Sequence, residues 1–279
     1  TKEQLKNDLI EEYQTNTFLD EDEVNELEDN SDDGQLETNI LDTATTKLDT
    51  ETTEADVVGD ARYYYWFHNK LRKNYLGNFK SLVKLINIDP AMLVYLSGQF
   101  NTKEAPNENY ARELFELFTI GKGPLDGVDS YTYYTESDII EASKILTGWE
   151  VTKNISGPDR QKFTPSRHDN SNKTFSSKFN NQVIQNNGDK EHEDLVDMIF
   201  SKERTSEYIC EKLYRWFIYY VIDEEVSQKV IKPLAKILRE NNYEIKPVLE
   251  KLLHSKHFFE IHTRGALIKS PIDYNFGVL

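Results

Sequence analysis

The stretch NENYARELFELFTIG, from Asn107 to Gly121, opens on a residue suited to cap a helix and closes on a glycine suited to end one. Between them Tyr110, Ala111, Leu114, Phe115, Leu117, Phe118 and Ile120 cover most of a helix circumference, while Arg112, Glu113 and Glu116 fall on one narrow stripe. A helix that is apolar nearly all round is a buried one, so the pattern predicts a core element whose charged stripe also lies inside the protein. Buried charges need partners, and a cluster of them is either a structural network or a site.

Helical patterns surround this segment on both sides. Ala61 to Tyr75 is aromatic-rich, Asn78 to Ile88 follows a glycine break, and Pro90 suits the first turn of a short helix to Leu96. Thr135-Glu-Ser-Asp138 resembles a capping box with Asp in the place of Glu and starts a helix to Thr147. Further helices are predicted at Lys190 to Ser201, Glu203 to Val221, Glu225 to Glu240 and Lys246 to Phe258. The segments around Trp149 and Lys162 flank a Gly157-Pro158 turn and predict a hairpin, and His168 to Asn187 is polar and loop-like. The expected fold class is all-α: a multi-helix domain with one minor β-hairpin.

Charge divides the chain. Its net charge is −16, yet the first 56 residues hold 19 Asp/Glu against 3 Lys/Arg, and the rest holds 30 of each sign. Residues 1–54 are therefore expected to form an acidic, partly disordered extension, and residues 55–279 the all-α domain. With no basic patch to meet phosphates, nucleic acid is not an expected partner. No apolar run approaches the length of about 18 residues that spans a bilayer. Within the acidic part, Asp29, Ser31 and Asp33 followed by Gly34 have the spacing of a calcium loop, but Ile40 stands where a bidentate Glu belongs. A solvated acidic turn is the competing reading.

Five segments occur here in one order: LRKNYLGNFKSLVKLINIDPAMLVYLSG (Leu71 to Gly98), NENYARELFELFTIG, YTESDIIEASKILTGW (Tyr134 to Trp149), HDNSNKTF (His168 to Phe175) and KSPIDY (Lys269 to Tyr274). Together they resemble an uncharacterised bacterial family, the domain of unknown function 1800, from about Ala55 to Leu279. The resemblance brings no reaction with it. It implies an all-α periplasmic, secreted or cell-surface protein, commonly encoded beside a sulfatase- or phosphatase-like partner. It also implies a domain that continues beyond Leu279, because relatives do.

The residues that could carry chemistry come from three segments. Glu108, Arg112, Glu113 and Glu116 share one helix, Glu141 lies on the polar side of the next, and His168, Asp169 and Lys173 follow in a loop. Carboxylates three apart on a helix, joined by a His and an Asp, are a set that binds a divalent cation; Glu113, Glu116 and His168 are the candidate ligands. The same groups could instead act as an acid/base pair with separated pKa values, making Glu113, Glu116, Glu141, His168 and Asp169 candidate catalytic residues of a metal-dependent hydrolase. The third reading is a structural polar network of Glu108, Arg112 and Lys173 with these carboxylates. Cys210 falls on the apolar face of its helix and is read as a core residue. The functional readings are an accessory or partner protein in envelope or polysaccharide metabolism, a metal-dependent hydrolase, and a structural surface protein.

Overall fold

The Asn107–Gly121 stretch does cap and stop as its sequence demands. The side chain of Asn107 accepts the Asn109 amide at 3.0 Å, and Gly121 (φ +76°) donates its amide to the Phe115 carbonyl at 2.9 Å. What lies between is not one regular α-helix. The computed structural model, which describes residues 61–152 and 161–263, shows helix α4 over Glu108–Glu113 and then a π-helix over Leu114–Thr119. The wider turn is held by Thr119, whose hydroxyl donates to the Leu114 carbonyl at 2.6 Å. It also rotates the faces away from the α-helical expectation: Leu114 and Phe115 are buried, whereas Leu117 is 49% exposed.

Helices wrap this element, in the order α1 Ala61–Asn74, α2 Phe79–Ile86, α3 Pro90–Tyr95, α4, α5 Glu136–Ile145, α6 Glu191–Phe200, α7 Glu203–Phe217, α8 Glu224–Val226, α9 Lys232–Glu240 and α10 Ile245–Leu253. α4 packs on α5, α6 on α2, α5 and α7, and α7 on α9, which in turn carries α10. One apolar core runs through them, from Leu93 and Phe115 through Ile139 and Val196 to Leu238 and Val248. The capping box of α5 is present: Asp138 N donates to Thr135 Oγ1 at 3.2 Å, and Asp138 Oδ2 accepts the Thr135 amide at 2.8 Å. No helix among the described residues is long and apolar enough to cross a membrane.

The strand content exceeds the expected single hairpin. The pair β3 (Trp149–Val151) and β4 (Gln161–Phe163) forms as predicted, with Trp149 opposite Phe163. Two more antiparallel pairs join it: β1 (Leu125–Gly127) with β2 (Ser130–Tyr131), and β5 (Lys173–Thr174) with β6 (Val183–Ile184). The last pair lies inside the stretch read as loop. Its strands are two residues long, too short for period-two patterning to show. The fold remains helical, with small two-stranded pairs as accessories.

The acidic extension, the calcium-like loop of Asp29, Ser31 and Asp33, the Gly157-Pro158 turn and the KSPIDY segment lie outside the described residues.

Candidate functional site

The charged stripe of α4 lies at the edge of the core, not within it. Arg112 donates to both carboxylate oxygens of Glu136 at 2.8 and 2.7 Å and reaches Glu108 at 3.2 Å. The bidentate bond to Glu136 holds the guanidinium firmly protonated and draws the Glu136 carboxyl below its usual range. Glu116 accepts the Tyr134 hydroxyl at 2.8 Å and the Lys122 ammonium at 3.0 Å. Burial, followed by this hydrogen bond, pushes the Tyr134 hydroxyl well up. Glu113 is half-buried and makes no ion pair among the described residues. Glu136, which completes the Arg112 pair, could be read from sequence only as a first-turn acid favoured by the helix dipole.

The remaining candidates gather elsewhere. Glu141 pairs with Lys144 at 2.6 Å and accepts the Thr174 amide at 3.2 Å, next to the segment that carries His168, Asp169 and Lys173. Here lies a fully buried charged cluster. Glu191, 0% exposed at the start of α6, faces His168 Nε2 at 3.0 Å and Lys173 Nζ at 2.6 Å, both equally buried. The amides of Asn187 and Gly188 also donate to Glu191 Oε1 at 3.0 and 3.3 Å, so three donors converge on that oxygen while Oε2 takes the Lys173 ammonium. On its other side His168 Nδ1 meets the Thr147 carbonyl at 2.9 Å, and the Thr147 hydroxyl receives the Asp169 amide at 2.9 Å. Gly148 (φ +89°) makes the close approach possible, since a Cβ there would stand 3.0 Å from the Cβ of His168.

Sequence reasoning found His168, Asp169 and Lys173 but missed Glu191. In GDKEHEDL it is one of four acids near a helix start and reads as a dipole-favoured surface residue. The structure does not bring Glu113, Glu116 and His168 into one group. Among the described residues no set of three or more His, Cys, Asp or Glu is placed to hold a metal ion. The Cys210 thiol, buried and pushed up to about 12 by that burial, is a packing residue as expected.

This network anchors a groove. Glu191 fixes the loop after β6 through the Asn187 and Gly188 amides, Lys173 fixes β5, and Asp138 holds Ser176 by its amide and hydroxyl at 2.7 and 2.8 Å. The segment so pinned forms one wall of an open groove of about 430 Å³, and α6 forms the other. Gln182, Gln185, Asn186 and Asn187 line it opposite Asp194 and Asp197, with Val183 half-exposed among them. Asn187 Nδ2 donates to Asp194 at 3.1 Å, and Lys84 donates to Asp197 at 2.8 Å. The groove thus presents amides, each both donor and acceptor, beside carboxylates that accept.

Two buried groups set an acid limit to the fold. Burial alone would raise the Glu191 carboxyl, but the bonds from His168, Lys173 and the Asn187 amide outweigh it and hold it below the ordinary 4.5. Burial lowers His192 below the ordinary 6.5, offset in part by the Asp189 carbonyl. In both cases the unfolded chain takes up the proton more readily than the folded one. Stability is therefore full above about pH 6.5, declines as pH falls toward the lowered folded value of His192, and declines again below about 4.5 as Glu191 approaches its own. Urea midpoints should fall stepwise from about pH 7 to about pH 3, and His192→Gln should remove the first step. A midpoint flat across that range would contradict this assignment.

No curated protein and no solved structure matches this chain. A family model described as "Protein of unknown function (DUF1800)" matches residues 50–279, and the chain belongs to that family.

Proposed function

We propose that this chain is a saccharide-binding accessory protein that acts in envelope or polysaccharide metabolism. One observation carries the reading: a groove lined by four side-chain amides and two carboxylates, seated on a buried network that fixes the backbone of its wall. Vicinal hydroxyls of a sugar donate and accept at once. Planar amides match that pattern, and Asp194 and Asp197 add acceptors. Val183 supplies an apolar contact for the C–H face of a ring. Asn187 and Lys84 each occupy part of a carboxylate, Asp194 and Asp197 respectively, and hold it in place. The family resemblance adds the extracytoplasmic setting and a sulfatase- or phosphatase-like partner to the same proposal.

An open groove with ordered polar groups binds weakly, with an expected Kd on the order of 1 mM for short neutral oligosaccharides. Titration calorimetry with gluco-, manno-, galacto- and N-acetylglucosamine oligosaccharides tests the point. Gln185→Ala and Asn186→Ala should each weaken a binding sugar by roughly tenfold, because a hydrogen bond across the groove is lost. Their melting temperatures should hardly move, since both side chains are exposed. Absence of saturable heat with every sugar, in a protein that melts cooperatively, would sink the proposal.

A further inference from the structure

A second cavity, of about 360 Å³, has the opposite chemistry. Its lining includes Lys178, Lys202 and Arg204, together with Thr132, Asn180 and Ser201. The lining contains one carboxylate, Glu203, which is exposed and paired with Arg239 at 2.6 Å. Four donors of the residues that line this cavity lack acceptors. Lys202 Nζ makes no ion pair among the described residues and rests 5.5 Å from the centre of the Phe179 ring. Arg204 Nε is buried without a partner, while its terminal nitrogens are held by Glu211. The amides of Glu203 and Arg204 open α7, a helix of 15 residues, and neither finds an acceptor, because Lys202 stands in the capping position and its side chain has none to offer. Lys178 contributes a fifth donor that is paired with Asp126 across an exposed contact.

An uncapped first turn and an ammonium without an ion pair lack the same thing, negatively charged oxygen, and the Arg204 guanidinium adds positive charge beside them. We propose that this cavity binds a small tetrahedral oxyanion, phosphate or sulfate, either free or as a monoester. Lys202 is its principal charged ligand, the Glu203 and Arg204 amides hold it at the helix terminus, and Lys178 exchanges Asp126 for it. The Tyr133 ring, packed 4.8 Å from the Arg204 guanidinium, closes one side and keeps that group in place. This site is independent of the amide-lined groove, so either can fail without the other.

The test is calorimetric titration of the whole chain with inorganic phosphate, inorganic sulfate and glucose 6-phosphate at constant ionic strength in chloride. One saturable site with a Kd on the order of 1 mM is expected, with phosphate and sulfate competing for it. Lys202→Gln should weaken binding by about tenfold and Lys178→Gln by a smaller factor, while Lys246→Gln, an exposed cation on α10, should change nothing. Lys202 leaves no buried partner stranded, so its variant remains folded and the comparison is clean. Tighter binding of glucose 6-phosphate identifies an ester as the ligand, and tighter binding of the inorganic ions identifies the free anion. The proposal is overturned if no anion saturates below about 50 mM, or if Lys202→Gln and Lys178→Gln bind as the parent does.

Discussion

Replacing Glu191 with Gln should lower the stability of the folded chain by about 3–5 kcal/mol, the cost of stranding buried charge. The carboxylate is wholly buried and accepts from His168, Lys173 and two backbone amides. Glutamine offers one acceptor oxygen and turns a donor NH₂ toward a partner that also donates. The Lys173 ammonium, 0% exposed, would keep the Asp169 carbonyl and the more distant Asp169 carboxylate at 3.9 Å but lose its nearest counter-charge. In a domain of this size such a loss corresponds to a melting temperature lower by roughly 10 °C or more. The double variant with Lys173→Met should recover part of the stability, because removing both members of a buried pair is far milder than removing one. Equal melting of the parent and Glu191→Gln would show that the network contributes little. The Arg112 group should behave differently. Arg112 and Glu136 retain 29% and 25% of their side-chain exposure, and breaking so hydrated a pair should cost at most about 1 kcal/mol.

Phe115→Ala should be comparably damaging, at about 3–5 kcal/mol, through a cavity and lost aromatic contact. Its ring is 0% exposed and meets Tyr134 edge-on at 5.4 Å and Phe179 at 5.7 Å. Those partners belong to the approach to α5 and to the segment between β5 and β6, so one ring joins three parts of the core. Its carbonyl also accepts both the Ile120 and Gly121 amides, which ties the π-helix to the same residue. Leu117→Ala, two positions on and half-exposed, should cost well under 1 kcal/mol. A uniform α-helix buried all round would have made the two substitutions equally costly. Comparing their urea midpoints therefore tests the π-turn itself, and equal losses would count against it.

Local chemistry was legible in the sequence wherever neighbours along the chain decide the outcome. Asn107 and Gly121 cap and stop their helix, and Thr135 and Asp138 form their box, because capping involves residues no more than a few positions apart. The helical class followed from apolar periodicity for the same reason, as did the core position of Cys210. The extra residue in the π-turn escaped, since it shifts the faces without altering the composition. Tertiary structure alone decided which charges are buried. Arg112 and Glu116 share a stripe with Glu113 on paper, yet they turn to Glu136 and Lys122 at the rim of the core. Glu191 looks like any acid of a helix start, and it becomes the centre of a buried network only because His168 and Lys173 arrive from a separate strand and loop. Desolvation depends on what packs above a side chain, and that cover comes from residues distant in sequence. The same holds for the cationic cavity, where Thr132, Lys178 and Lys202 meet from three separate segments, whereas the lining of the groove comes from one stretch, residues 182–197.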